Sequence, residues 1–289
     1  MAVHFPSITD QQINRLRSLI EHQFADQSPT RPQIIEFEGQ RFVVKFQRQE
    51  KNRSRQERLS ALGYFLLFRK WLHSSYFRSL DVQEEAQRLI SLQRAGVHVA
   101  PVYFHDENYF IQAYSGISLD TVLPRRGENE RIDLIFDVMA DLAQLHAHGQ
   151  WHGGPQIRNL TLLETPFEEE GQSIKQLFRI DFEERFGFYT PLALAQCYDL
   201  FLTFNSIKKF LNDDLDLGEK LFMHYWKAYP NAELIPYLQK VLRWLSPLMA
   251  IGRLLGRINK HNNDINTSIF FGQILKTSLP NLKPHQTPS

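Results

Sequence analysis

The chain changes period partway along. Residues 34–46 and 97–113 are written as short β-rich runs, whereas from Leu119 onward apolar residues recur mostly at helical spacing. Ahead of the first run, Thr9-Asp10-Gln11-Gln12 reads as a capping box opening an amphipathic helix with Ile13, Leu16, Leu19, Ile20 and Phe24 on its apolar stripe. A polar, proline-containing linker, about Asp26 to Pro32, follows. Two β-rich runs then flank Glu38-Gly39-Gln40, which predicts a hairpin. Lys45 sits inside the second run, among Val43, Val44 and Phe46. It is either an edge lysine in water or a buried lysine awaiting an anion. A helix opening at Asp81-Val82-Gln83-Glu84-Glu85 and stopping near Ala95-Gly96 comes next. Strands are expected over Val97–Tyr103 and Tyr109–Ala113, joined by the turn His105-Asp106-Glu107-Asn108. The helical half is broken by a further hairpin, with strands at Leu160–Leu163 and Leu177–Ile180. This order of elements implies an α+β fold in two lobes, with a ligand cleft expected between them.

Charge narrows the function classes. The chain carries 33 Lys and Arg against 32 Asp and Glu, which argues against nucleic acid as a partner. The single cysteine, Cys197, excludes an intrachain disulfide and reads as a buried structural thiol in a reducing compartment. Met1–His4 lacks a cationic-apolar-small pattern and no apolar run reaches membrane-spanning length, so a cytoplasmic location is expected. Residues 51–80 stand out. They hold seven basic side chains, one acid (Glu57), and a dense aromatic and aliphatic group that includes Phe65, Trp71, Tyr76 and Phe77. Either the apolar residues pack on the domain and the bases are solvated, or the segment lies on an anionic membrane surface. The second reading places the protein at the periphery of the inner membrane.

The segment from Leu145 to Asn159, with His146, Gly149, His152-Gly153-Gly154-Pro155 and Asn159, resembles the catalytic loop of kinase-like phosphotransferases. That family's pattern is Leu-His, a short glycine-containing spacer, then His-x-Asp-x-x-x-x-Asn. Ile180-Asp181-Phe182-Glu183 is similar to the metal-binding Asp-Phe-Gly segment. The style is that of the aminoglycoside phosphotransferases and of the bacterial lipopolysaccharide-core (Kdo and heptose) sugar kinases, some of which carry an atypical His-Gly-x-Pro loop. The resemblance spans roughly residues 34–205.

It implies a protein-kinase-like fold behind an N-terminal helix and linker (1–30). A β-rich N-lobe would cover 31–113 with the insert at 51–80, a helical C-lobe 114–275, and a poorly ordered tail 276–289. It also implies roles. Lys45 would hold nucleotide phosphates and Glu85, with Glu84 as the fallback, would orient it. Asn159 and Asp181 would hold Mg²⁺. Gln112, Ala113 and Ser115 would bind adenine through main-chain groups. Asp199 would brace the catalytic loop, as would His152. ATP and Mg²⁺ are the implied cofactors, and a lipid-linked or lipopolysaccharide-type sugar the implied acceptor. Reading His146, His148 and His152 as a zinc cluster is disfavoured, because no cysteine or second acid joins them at metal-ligand spacing.

Two departures matter. No glycine-rich phosphate loop is visible, since the first hairpin has only Gly39. More seriously, Gly154 stands where the catalytic aspartate belongs, and glycine cannot accept the acceptor hydroxyl's proton. Glu183 or Glu184 is the nearest candidate substitute. Three functions stay open: an atypical kinase, a pseudokinase that binds nucleotide or a partner without fast chemistry, and a membrane-surface interaction protein with a vestigial pocket.

Overall fold

A computed structural model describes residues 5, 7–25, 29–47, 58, 61–62, 65, 71–166, 173–255 and 263–282. The fold is mixed α+β, and the chain divides into two compact units.

The first unit comprises Met1–Arg53, Ser79–Leu119 and Leu160–Glu183. Helix α1 (Asp10–Gln23) starts at the capping box: Gln12 N donates to Thr9 Oγ1 and Thr9 N to Gln12 Oε1. Strands β1 (Gln33–Phe37) and β2 (Gln40–Phe46) meet in a two-residue turn in which Glu38 and Gly39 both have positive φ, 50° and 73°. That backbone twist matches antiparallel strands, and glycine adopts it without strain. Arg15 on α1 pairs with Glu38 at 2.7 Å, so the helix also holds the turn.

With β3 (Val102–His105) and β4 (Tyr109–Ala113), the strands form an antiparallel sheet in the order β1-β2-β4-β3. Leu16 and Ile20 of α1 pack on one face of it, against Ile35, Phe42, Val44, Tyr109 and Ile111. Leu19, expected on the same stripe, is exposed instead. Helix α2 (Val82–Arg94) begins at Asp81, which accepts from Glu84 N while Glu84 Oε2 accepts from Asp81 N. It stops where Gly96 turns to φ +82°.

Two strand boundaries differ from expectation. β3 begins at Val102, not Val97. Pro101 has no N–H to give a ladder, and Val99 makes only a single bridge, to Arg179. The later hairpin is longer than expected: β6 (Leu160–Pro166) pairs with β7 (Ser173–Arg179) through to Pro166 opposite Ser173, and its tip lies outside the described residues. β5 (Ile117–Ser118) pairs with β6 to complete a three-stranded sheet. This pairing, with the Val99–Arg179 bridge, corrects the expected division at residue 113. The hairpin 160–183 groups with the early strands, not with the helical unit.

The second unit comprises Ser54–Arg78, Asp120–Asn159 and Glu184–Ser289. Most of the insert expected at 51–80 lies outside the described residues. The unit's described helices include α3 (Glu128–Ala147), α4 (Leu192–Ile207), α5 (Leu215–Ala228), α6 (Ile235–Leu255) and α7 (Asn263–Ser278). Phe204, Phe222 and Phe271 bring α4, α5 and α7 together. Gly218 sits where α5 meets α7: a Cβ there would lie 2.6 Å from Ile274 Cδ1, so any larger residue would push that side chain aside. On α6, Leu245 and Met249 are buried. The expected loose tail needs correction at its start. α7 runs on to Ser278, which is buried, and a short 3₁₀ turn carries the chain to a buried Leu282. Residues 283–289 lie outside the described ones. Cys197 is buried on α4, and burial, with Asp199 nearby, pushes its thiol up to about 12, which makes it inert. No described helix is long and apolar enough to cross a membrane.

Candidate functional site

β2 lies between β1 and β4, so Lys45 is not on a sheet edge. Phe42 and Val44 face α1, and strand alternation sends Lys45 to the other side of the sheet. Only 9% of the residue is exposed. Its ammonium meets Glu85 Oε2 at 2.6 Å, Asp181 Oδ1 at 2.6 Å and Glu183 Oε2 at 3.8 Å. Glu85, 2% exposed, comes from the first turn of α2, one residue after Glu84, whose carboxylate is occupied in the helix cap. Of the two glutamates, Glu85 is the one that reaches Lys45.

Asp181 follows β7 with φ +67°, a left-handed conformation that aspartate tolerates better than most residues but that still carries strain. The surrounding contacts hold it there. Arg88 Nη1 donates to Phe182 O at 2.9 Å, and the Arg88 guanidinium lies 5.2 Å from the centre of the Phe182 ring. Leu80 N donates to Glu183 O at 2.6 Å. Sequence reasoning missed Arg88. Its signal was its place three residues after Glu85, hence on the same face of α2.

Three carboxylates therefore share one ammonium. Burial pushes the Lys45 ammonium down, but Glu85, Asp181 and Glu183 together outweigh it and hold its pKa above the usual lysine range. Burial pushes Glu85 up, Lys45 pulls it back only in part, and the carboxyl settles at about 7. The Glu85, Asp181 and Glu183 oxygens lie within 4.8 Å of one another, and this is the one such acidic group among the described residues.

A pH dependence follows. Glu85 rises from 4.5 to about 7 on folding, so between those values the folded protein keeps a proton that the unfolded chain has lost. The stability this proton contributes is complete below pH 4.5 and lost as pH rises through about 7. Glu85→Gln removes the titration. The unfolding free energy of wild type minus that of Glu85→Gln should fall as pH rises across this window in urea titrations.

The residues expected to contact adenine lie on β4 and just after it. Gln112 is buried between Val43 and Val102. Ala113 N already donates to Pro101 O and Tyr114 N to Arg41 O. Ser115 Oγ is hydrogen-bonded to Thr161 Oγ1 at 2.9 Å. The N–H groups of residues 113 and 114 are thus committed to the fold and are not free to meet a ligand. Gly116 is required where it stands: φ is +104° and a Cβ would come within 2.0 Å of Leu162 O.

In the second unit, the loop after α3 is organised by Asp199 of α4. Its Oδ2 accepts from His152 N at 2.6 Å and its Oδ1 from Gly153 N at 2.7 Å. His146 Nε2 donates to Oδ2 at 3.2 Å, which leaves His146 Nδ1 to accept from the Tyr225 hydroxyl at 2.7 Å. Burial holds that hydroxyl protonated, its pKa above the ordinary tyrosine range. His152 Nδ1 accepts from Gly154 N. The loop-bracing geometry expected of Asp199 and His152 is present. The histidines serve separate partners, and exposed His148 bonds only to its own helix at Gln144 O. Asn159 Nδ2 donates to Gly154 O at 2.9 Å. Asp199→Asn turns one acceptor into a donor against a buried N–H. The expected loss is about 1–3 kcal/mol, read as a lower urea midpoint.

Gly154 itself has ordinary φ and open space. A Cβ built on it meets nothing nearer than Asn159 Nδ2 at 3.6 Å. The backbone could carry an aspartate, and the sequence does not supply one. Comparison of the chain with family models and with curated proteins found no match.

Proposed function

We propose that this chain is a kinase-like protein that binds a nucleoside triphosphate with Mg²⁺ and transfers phosphoryl groups slowly, if its acceptor is at hand, to a sugar or lipid-linked hydroxyl. The observation that carries the reading is the Lys45 cluster. A structural ion pair needs one acid, whereas Lys45 is met by carboxylates 40 and 136 residues away and by a third beside them. The excess of buried negative charge calls for another cation, and hard carboxylate oxygens are the donors Mg²⁺ takes.

Asp181 and Glu183 are the residues that would hold the metal, which on binding would neutralise charge on the phosphates. Lys45, oriented by Glu85, would hold phosphate oxygens, and Arg88 would keep Asp181 in its left-handed position. Glu183 was the candidate proton acceptor in place of the missing aspartate. Its place beside Lys45 favours a cation-holding role instead.

The pseudokinase reading has its own support, the lack of a carboxylate at Gly154. An assay of ADP release with and without candidate acceptors separates the two. Wild type should turn over above an Asp181→Ala control. Equal rates would end the kinase reading and leave the pseudokinase.

A further inference from the structure

One row of residues crosses all four strands of the first unit's larger sheet, on the face that carries Lys45. Ile34 of β1 pairs with Val43 of β2, Val43 with Gln112 of β4, and Gln112 with Val102 of β3. Residues directly opposite one another in antiparallel strands share a face, so one carboxamide stands in a row with three aliphatic residues. Gln112 is 8% exposed, and its side chain makes no hydrogen bond among the described residues. Buried amides are normally paired, and one left without a partner costs free energy. Neither polar atom of the carboxamide is sealed off, so both keep contact with solvent. Ile34, at the open end of the row, is 62% exposed. Lys45 lies two residues beyond Val43, about 7 Å along the same face.

We infer that Gln112 reads a purine base through its side chain, an inference that rests on the nucleotide reading above. A carboxamide sets one donor beside one acceptor. The edge of adenine offers the counterpart, an acceptor at N1 beside the donating 6-amino group. With phosphates held at Lys45, the flat ring would lie on the aliphatic surface of Val43 and Ile34 and turn its edge to Gln112. The main chain cannot take this part at residues 113 and 114, whose N–H groups already meet Pro101 O and Arg41 O. The main-chain contact to adenine expected here thus gives way to a side-chain contact one residue earlier.

The test is calorimetric titration of the full chain with MgATP, MgGTP and the Mg²⁺ salt of tripolyphosphate, which has the phosphates without the base. Wild type is expected to bind MgATP more tightly than tripolyphosphate. Gln112→Leu should weaken MgATP roughly thirtyfold, the worth of two neutral hydrogen bonds, and leave tripolyphosphate unchanged. Leucine suits an aliphatic row, so this variant should melt no lower than wild type in the absence of ligand. Gln112→Glu can only accept, and should shift preference toward MgGTP, whose N1–H and 2-amino group both donate. A Gln112→Leu variant that binds MgATP as wild type does, or a wild type that binds tripolyphosphate as tightly as MgATP, overturns the inference and leaves phosphate binding at Lys45 standing. Wild type that binds neither overturns the nucleotide reading and this inference with it.

Discussion

On the proposed kinase reading, Gly154→Asp is expected to raise the rate of phosphoryl transfer by roughly 10²–10⁴-fold, the usual worth of a positioned general base. The loop is otherwise assembled. Asp199 fixes His152 and Gly153 through their N–H groups, and Asn159 ties back to Gly154 O. The substitution strains nothing, because Gly154 has ordinary φ and its nearest Cβ neighbour stands at van der Waals distance. Gly153 could not be changed in the same way. Its φ is +95° and a Cβ would lie 2.4 Å from Glu184 Cβ. Gly154→Ala is the control and should leave the rate unchanged. A rise in the steady-state rate for aspartate but not alanine would show that the proton-accepting step limits wild type. No rise, with nucleotide binding intact, would mean that the loop serves binding alone.

Lys45→Met is expected to destabilise the protein by about 3–5 kcal/mol. Methionine matches the length of the lysine stem, so little cavity forms. What remains is Glu85, 2% exposed, with its counter-ion removed and two further carboxylates nearby. Asp181 and Glu183 are less deeply buried and can turn toward water, whereas Glu85 cannot. The penalty therefore belongs mostly to Glu85, and adding Glu85→Gln should recover a good part of it. Urea unfolding of the two single variants and the double variant measures the coupling, expected at about 1–3 kcal/mol. Additive losses would mean that Lys45 stabilises the first unit through its stem and not through the ion pair.

The local grammar of the first unit was legible. Thr9 with Gln12, Glu38-Gly39 and Asp81 with Glu84 each declare a cap or a turn, and each is found. The Asp81–Glu84 box also carried more than was read from it. A glutamate used at the third helical position is spent on the cap, which leaves Glu85 to face inward. The environment of Lys45 was not legible, because edge and centre of a sheet differ only in which strand pairs where. β4 pairs with β2 across more than sixty intervening residues. The same non-local pairing, Ile117 with Leu162, moves the hairpin 160–183 into the first unit against the expected boundary. Asp181's left-handed backbone and the Arg88 contact that holds it are tertiary facts, with only the i,i+3 spacing from Glu85 as a hint. The histidines, close in sequence, were set aside as a metal centre for want of a further ligand, and in the fold each ring turns to a different partner.

Nucleotide and cation uptake at Lys45 and Asp181 is tested most directly by the melting temperature of the full chain, titrated with ATP in the presence and absence of Mg²⁺. A saturable rise that requires Mg²⁺, and that Asp181→Ala abolishes, is the expected result; at a hundredfold excess over Kd the gain is about 2.7 kcal/mol. A melting temperature that neither ATP nor ADP moves would contradict it, and would make the buried cluster of Lys45, Glu85, Asp181 and Glu183 a structural ion-pair network alone.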